Sequence, residues 1–260
     1  MNPFDAEAAA RELFRARMTR TPCPAPGPAF GFDGIEQAMQ VQNALLRMYQ
    51  KAGQEAIGYK LGLTDQRVQS ATGIGKPLVG ALLQDWQYWD KDDIPIARLI
   101  EPRVEAEVAF VMSRTFDDPE AGLAELLNSL GGALPALEIC DSAIQGWPRS
   151  IVDALADNLC SGLFVLGSRP IDARSLEFSS LPMKLLRAGA IIAEGSGSQC
   201  MGSPLNALLW LAREQARLGV PLQAGDIVLS GALGPMQSVG RGDELRLDLG
   251  ALGALECRFV

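Results

Sequence analysis

The sequence predicts an α+β fold in which a helical N-terminal section precedes a mixed β-sheet roll or sandwich. Apolar residues recur at helical spacing up to about residue 53, and short apolar runs punctuated by glycine dominate from there to the end. The runs are not regularly separated by helices of about ten to fifteen residues, which argues against a doubly wound or (β/α)8 fold. We therefore expect residues 1–55 to form the helical section and residues 56–260 to form one β-rich body.

Three segments are predicted to be helices. Residues 5–18 carry strong helix formers and stop at a proline-rich stretch, and residues 34–51 repeat apolar side chains at helical spacing. Residues 204–218 begin with a proline in the first turn, present a leucine-rich face and stop at Gly219.

Seven apolar runs are predicted to be strands. They are GYKLGLT, VEAEVAFVM, ALPALEIC, SGLFVLG, GDIVLSGAL, DELRLDLG and ALECRF.

Composition excludes several classes of function. The chain contains no histidine, which rules out Ser-His-Asp and Cys-His catalysis, histidine-ligated zinc and imidazole acid–base chemistry. Its formal net charge of −8 disfavours binding to nucleic acid or to an anionic membrane surface. Any proton transfer must therefore use carboxylate, lysine, tyrosine, cysteine or water.

Cysteine usage and the N-terminal residues favour a cytoplasmic protein. The five cysteines are widely spread with no CxxC pair, so most are expected to be reduced core residues. The first eighteen residues lack the apolar region of a signal peptide, and no apolar stretch approaches the roughly 18 residues of a membrane-spanning helix.

Two glutamates lie on one face of a predicted strand. In VEAEVAFVM, Glu105 and Glu107 alternate with apolar residues and share a face with Ala109 and Val111. If the strand is buried, their repulsion and lost hydration require raised pKa values or a compensating cation. A strand end with solvated glutamates is the alternative.

A third glutamate, Glu138, lies in the apolar run ALEIC, after Pro135. Three buried glutamates without histidine or paired thiols favour a hard ion, Mg²⁺ or Mn²⁺. Such a site keeps positions open for a chelating substrate. Glu138 could instead lie elsewhere or pair with an arginine.

Lys60 is out of place in the apolar, glycine-flanked run GYKLGLT. An ammonium there is costly unless it is paired, and a depressed pKa would make it a usable acid or base. The alternatives are an ion pair with Asp65 or a surface lysine with a buried stem.

Six ordered motifs resemble those of the 2-keto-4-pentenoate hydratase family, part of the fumarylacetoacetate hydrolase superfamily. The motifs are GYKLGLT, EPRVEAEVAFV, PALEICDS, VDALADNLCSGLFVLG, GSPLNALLWLA and GDIVLSGALGPM. The resemblance runs from the second helix to Phe259 and implies the β-roll of that superfamily around a divalent metal.

The resemblance also implies roles for individual residues. Glu105, Glu107 and Glu138 match the metal ligands, and Lys60 matches the catalytic lysine. Ser230 and Gly231 match positions near the substrate and would bind its carboxylate. The implied reaction is hydration of 2-hydroxypenta-2,4-dienoate, or a close 2-oxo or 2-hydroxy dienoate, to a 4-hydroxy-2-oxo acid in the meta-cleavage degradation of aromatic compounds.

Four positions depart from the family pattern. Leu78 stands where a carboxylate is usual, Ala143 replaces an arginine, Cys160 a serine and Ser203 a histidine. These departures leave open decarboxylation of 4-oxalocrotonate, through the same metal chelate, and a non-catalytic family member. The resemblance further implies a homo-oligomer, as a pentamer, decamer or smaller assembly.

Overall fold

The computed structural model describes residues 4–260. Within them the chain forms seven α-helices. In chain order they are α1 Ala6–Thr19, α2 Pro26–Phe30, α3 Ile35–Lys51, α4 Gln66–Thr72, α5 Leu123–Asn128, α6 Ile151–Ala156 and α7 Pro204–Arg217.

Thirteen strands are formed by the same described residues. They are β1 Ala56–Gly62, β2 Leu78–Leu83, β3 Gln87–Trp89, β4 Asp93–Ile94, β5 Arg103–Met112, β6 Leu130–Cys140, β7 Leu163–Leu166, β8 Pro182–Arg187, β9 Ala190–Ser196, β10 Ile227–Leu229, β11 Gln237–Ser238, β12 Glu244–Asp248 and β13 Ala254–Phe259.

The strands build two mixed sheets. The larger has the order β2-β1-β10-β5-β6-β7-β3, with β11 added to β5, and the smaller has the order β4-β13-β12-β8-β9. Most neighbours are antiparallel, whereas β1 pairs with β10, β3 with β7 and β4 with β13 in parallel. The predicted α+β fold with mixed sheets is thus confirmed.

The three long helices begin and end within one residue of their predicted bounds. In α1 the Asp5 side chain accepts a hydrogen bond from the Ala8 amide, and Arg20 ends the helix in the left-handed conformation. The face of α1 that includes Ala9 and Leu13 is buried. A correctly spaced apolar face and local signals at the helix ends were therefore enough to predict the bounds of these helices.

The structure also contains elements that the sequence interpretation did not include. The short helix α4 buries no residue, so it carries no apolar stripe that periodicity detects. The hairpin β8–β9 and the edge strand β2 were missed as well. Strand β9 ends at Ser196, and the chain continues into a short 3₁₀ turn, Gly197–Gln199.

The N-terminal helices share a core with the sheets. Helix α1 packs on α3, and α3 packs on α6. The guanidinium of Arg17 on α1 is buried and pairs with Asp141 at 3.0 Å and Asp157 at 3.5 Å. A separate domain boundary at residue 55 stays a prediction.

Cysteine placement and helix lengths agree with the expectations from composition. All five cysteines are free and buried. Among residues 4–260, no helix has both the length and the apolar character needed to cross a membrane.

Candidate active site

Lys60 lies on β1, which is next to the edge strand β2 of the larger sheet. Across the parallel pair its partner is Leu229 of β10, and across the antiparallel pair it is Gly80 of β2. Its side chain is 4% exposed. The surface-lysine alternative is therefore wrong.

The register of β5 and β6 brings two glutamates face to face. Glu105 and Glu138 are direct partners in the antiparallel ladder, so their side chains project from the same face. Glu107 lies two residues along β5 and therefore on that face too. Glu107 and Glu138 are fully buried, while Glu105 is half-buried. The three glutamates selected from the sequence thus lie together.

Lys60 pairs with one of these glutamates. Its Nζ lies 3.0 Å from Oε1 of Glu138 and donates a hydrogen bond to the Leu159 carbonyl at 3.2 Å. Asp65, the partner considered from the sequence, binds the neighbouring Arg67 instead. An ion pair was one of the alternatives considered from the sequence, and the structure shows such a pair with Glu138 in place of Asp65.

The buried carboxylates are poorly satisfied by the protein itself. Apart from the ion pair with Lys60, neither oxygen of Glu138 has a hydrogen-bond partner among the described residues. Glu107 accepts a hydrogen bond from the Gly231 amide through Oε2, and its Oε1 has no partner. Buried anionic oxygens without donors are costly, so this arrangement calls for a cation.

Burial and mutual repulsion shift the pKa values in the site. Burial, followed by the charges of Glu138 and Glu105, raises the pKa of Glu107 well above its ordinary value. Burial also raises the pKa of Glu105. For Lys60, burial opposes the ammonium, but the carboxylates led by Glu138 outweigh it and hold the pKa well above normal. The pKa of Lys60 is therefore shifted in the direction opposite to the depressed pKa considered from the sequence.

The donor atoms suit a divalent cation. A carboxylate oxygen each from Glu105 and Glu138 and the sulfur of Cys140 lie within 4.8 Å of one another. Glu107 is not part of that group, although its free Oε1 belongs to a carboxylate on the same face. Carboxylate oxygens are the ligands that Mg²⁺ and Mn²⁺ prefer.

Cys140 is a site residue that the sequence interpretation missed. Its thiol lies 3.5 Å from Glu105 Oε2 and donates to it. The signal was available, because Cys140 follows Glu138 by two positions on the same strand and therefore shares its face.

Ser230 and Gly231 follow β10 and approach the glutamates. The buried Ser230 hydroxyl accepts from the Val108 amide at 3.2 Å and donates to the Gly231 carbonyl at 3.0 Å. The Gly231 amide donates to Glu107 Oε2 at 2.7 Å. The structure therefore places both residues beside a metal-ligand candidate, and their contact with a substrate carboxylate stays a prediction.

A cavity of about 490 Å³ opens at Glu105. Part of its wall is apolar, including Leu63, Val68 and Met236, and Arg67 is the one cationic residue among the described residues that line it. This space is large enough for a small organic acid next to Glu105.

The four departures from the family pattern occupy different places. Leu78 is buried and lies two residues before Gly80, the ladder partner of Lys60. Its side chain is therefore on the same face of the sheet as the Lys60 side chain. The Ala143 amide donates to Asp157, and Cys160 has a left-handed backbone next to Leu159. Ser203 precedes α7 without a capping side-chain hydrogen bond. Of the four departures, only Leu78 lies on β2, on the face of the sheet that carries the Lys60 side chain.

Comparisons with known proteins show the family of the chain. Residues 66–260 match the family model described as fumarylacetoacetate (FAA) hydrolase C-terminal. The chain is 39% identical to the 2-keto-4-pentenoate hydratase of Paraburkholderia xenovorans strain LB400, over 100% of this chain and 96% of the relative. It is 34% identical to the 2-oxo-hept-4-ene-1,7-dioate hydratase of Escherichia coli, over 87% of each protein.

A solved structure confirms the fold. The 4-oxalocrotonate decarboxylase of Pseudomonas putida G7, in complex with magnesium and adipate, superposes with a TM-score of 0.92 at 24% identity, covering 98% of this chain and 97% of the other. At that identity the likeness concerns architecture. Together, the family match and the near full-length relatives show that this chain belongs to the 2-keto-4-pentenoate hydratase family within the fumarylacetoacetate hydrolase superfamily.

Proposed function

We propose that the protein is a divalent-metal-dependent hydratase of 2-hydroxypenta-2,4-dienoate or a close 2-hydroxy-2,4-dienoate. The product is a 4-hydroxy-2-oxo acid, and the reaction belongs to the meta-cleavage degradation of aromatic compounds. Relatives that cover nearly the whole chain carry hydratase names. The observation that carries the proposal is the buried contact of 3.0 Å between Lys60 Nζ and Glu138, whose carboxylate has no other hydrogen-bond partner among the described residues.

Glu105, Glu107 and Glu138 would hold Mg²⁺ or Mn²⁺, which supplies Lewis acidity toward the 2-oxygen and the C1 carboxylate of a chelating substrate. The unpartnered oxygens of Glu107 and Glu138 support this set. Neighbouring hydrogen bonds orient the ligands, since Gly231 binds Glu107 and Cys140 binds Glu105.

Lys60 would move the proton. Its ammonium has three hydrogens and two acceptors in the structure, the Glu138 carboxylate and the Leu159 carbonyl. The third hydrogen is available to the substrate. We assign Lys60 Nζ the delivery of this hydrogen as a proton to C5 and the uptake of the 2-hydroxyl proton in its place, which restores the ammonium and gives the conjugated 2-oxo-3-enoate. Water then adds with its oxygen at C4 and a proton at C3.

The substrate would lie in the cavity that opens at Glu105. Ser230 and Gly231 remain our candidates for contact with the substrate carboxylate. The Ser230 hydroxyl and the Gly231 amide already have protein hydrogen-bond partners. They would therefore help to shape the site as well as to bind the substrate carboxylate.

A paired assay tests the function. Metal-loaded and chelator-treated protein is offered 2-hydroxypenta-2,4-dienoate and 4-oxalocrotonate separately, and the products are identified by mass. We expect metal-dependent gain of water from the dienoate. Loss of CO₂ from 4-oxalocrotonate alone would move the assignment to a decarboxylase.

A matched pair of glutamate variants tests the site. Glu107→Ala removes a buried carboxylate with a free oxygen, whereas Glu244→Ala removes an exposed glutamate from strand β12. We expect only the first to weaken Mn²⁺ binding, measured by electron paramagnetic resonance, and to abolish hydration. Unchanged hydration in Glu107→Ala would refute the proposed site.

Leu78 favours decarboxylation as a second candidate function. An apolar side chain on the lysine's face of β2 offers no carboxylate to help position water or move a proton. Decarboxylation of 4-oxalocrotonate needs stabilisation of an enolate but no added water, so it would tolerate this apolar side chain.

We also propose that the protein is a homo-oligomer. The family resemblance is the basis of this proposal, and Trp89 and Ile191, large apolar residues that are 48% and 50% exposed, are our candidates for subunit contacts. Sedimentation velocity gives the assembly, and a monomer at micromolar concentration would contradict the proposal.

A further inference from the structure

Three consecutive residues beside Lys60 have left-handed backbones. Asn158, Leu159 and Cys160 have φ angles of 50°, 55° and 55°, and none of them is glycine. Side chains other than those of Asn and Asp are disfavoured in this region, which residues with a Cβ normally visit singly. A run of three therefore persists only where the surroundings hold it, and such strain clusters at functional sites.

The Asn158 side chain holds this turn against the edge of the larger sheet. Its Oδ1 accepts from the Ala81 amide at 2.8 Å, and its Nδ2 donates to the Ala81 carbonyl at 2.9 Å. Gln42 of α3 donates to the same Oδ1 at 3.3 Å and to the Val79 carbonyl at 2.8 Å. The buried Asn158 amide thus satisfies the backbone N–H and C=O of Ala81, which a neighbouring strand would otherwise pair with at this edge of the sheet.

The left-handed turn formed by residues 158–160 also contacts Lys60. It presents the Leu159 carbonyl to Lys60 Nζ at 3.2 Å. Gly80, opposite Lys60 across the strand pair, has no room for a Cβ, which would lie 2.8 Å from the Asn158 carbonyl oxygen and 3.0 Å from Lys60 Cδ. The turn, strand β2 and the lysine stem are therefore packed directly against each other.

We propose that Asn158 is a positioning residue for Lys60. By pairing with Ala81 it holds the left-handed turn, and the turn fixes the ammonium between the Leu159 carbonyl and Glu138 with one hydrogen left for the substrate. Asparagine suits both tasks, because it tolerates the left-handed region and its amide offers a donor and an acceptor together. The inference rests on the proposed function in that Lys60 carries the proton.

Three substitutions separate the parts of this role. Asn158→Gly keeps the backbone freedom and removes the amide, and Asn158→Ala removes both. Asn158→Asp keeps the shape and the acceptor for the Ala81 amide but loses the donor to the Ala81 carbonyl. We expect kcat for the dienoate to fall by about 10- to 100-fold in Asn158→Gly, because misplacement by about 1 Å has effects of this size. We expect a larger loss in Asn158→Ala and in Asn158→Asp, whose buried carboxylate would face the Ala81 carbonyl without a donor. KM and Mn²⁺ affinity are expected to change less than about twofold, since the carboxylates keep their contacts.

Asn206→Ala is the matched control. The Asn206 amide donates to the carbonyl of Met201, another left-handed residue, and it has no hydrogen bond to Lys60 or to the site glutamates. We expect its kcat to equal that of the wild type.

A double-mutant cycle distinguishes positioning from general stabilisation. In a Lys60→Ala background the residual turnover no longer uses the amine, so adding Asn158→Gly is expected to leave kcat unchanged. An equal further loss in that background would overturn the proposal, as would a wild-type kcat in Asn158→Ala.

A crystal structure of metal-loaded Asn158→Gly gives a readout without turnover. We expect the Leu159 carbonyl to move beyond hydrogen-bonding distance of Lys60 Nζ. If this movement is seen but the wild-type protein hydrates no dienoate, the positioning stands and the proposed function fails. If Leu159 and Lys60 keep their contact, the positioning role is refuted whatever the activity.

Discussion

The backbone amide of Gly231 donates a hydrogen bond of 2.7 Å to Oε2 of Glu107. Gly231 has φ +101°, and an added Cβ would lie 2.4 Å from Thr64 Oγ1. A residue with no side chain is therefore required at the position that orients Glu107, one of the three site glutamates.

The first prediction compares two glycines with similar backbones. Gly225 has φ +96° with nothing within 4 Å of an added Cβ, so Gly225→Ala is expected to cost only the backbone strain, about 1–2 kcal/mol. Gly231→Ala adds the clash with Thr64, and we expect a further loss of about 1–3 kcal/mol in the free energy of unfolding by urea. Mn²⁺ affinity should fall about 10- to 100-fold in Gly231→Ala alone, because Glu107 loses its orientation. Equal affinity in both variants would contradict the role of the amide.

The second prediction concerns the attachment of α1. Arg17→Met leaves Asp141 and Asp157 buried without their cation, so we expect the free energy of unfolding to fall by about 3–5 kcal/mol. Arg15, on the same helix, pairs with Glu12 at the surface, and Arg15→Met should change stability little. Urea unfolding at neutral pH measures both variants, and similar midpoints would show that the buried pairs do not hold the helix.

The third prediction concerns Leu78. Leu78→Asp places a carboxylate on the face of β2 that looks toward Lys60, and we expect the ratio of hydration to decarboxylation to rise. Val79→Asp places the same group on the opposite face of that strand and should leave the ratio unchanged. Product analysis on the folded fraction of each variant gives the ratio, and an unchanged ratio in Leu78→Asp would remove this position from the choice between the two reactions.

The fourth prediction concerns the tail of the substrate. Asp65 binds the Arg67 side chain at 2.6 Å and accepts from the Arg67 amide at the start of α4. Because Arg67 is occupied and the neighbouring wall includes Val68 and Met236, we expect an uncharged tail to be preferred over a second carboxylate. Asp65→Asn keeps a good helix cap and frees the guanidinium, so kcat/KM for 2-hydroxyhepta-2,4-diene-1,7-dioate relative to 2-hydroxypenta-2,4-dienoate should rise by roughly threefold.

Asp172 offers a control for this change. It accepts a hydrogen bond from the Arg174 amide and pairs with the Arg174 side chain, the same spacing as in Asp65 and Arg67, but neither residue lines the cavity. Asp172→Asn should leave the ratio of the two substrates unchanged. A wild-type preference for the dicarboxylate would contradict the expectation.

Sequence periodicity identified the residues of the site better than it identified their contacts. The alternation in β5 places Glu105 and Glu107 on one face whatever the tertiary structure, because successive side chains of a strand point to opposite faces. The same rule would have revealed Cys140 beside Glu138. The partner of Lys60 could not be predicted from strand alternation. Asp65 was the partner considered from the sequence, whereas in the structure Lys60 pairs with Glu138.

What the sequence by itself determined are the features encoded locally: the three long helices with their ends, most of the strands, the facing of each glutamate and the family. Only the tertiary structure decided that Glu105 lies opposite Glu138, because the register between β5 and β6 is set by pairing of residues distant in the chain. The left-handed turn at Asn158 depends likewise on Ala81 and Gln42, which are remote in sequence. A strained conformation has no local pattern that predicts it, because it exists only where packing and hydrogen bonds from other elements hold it.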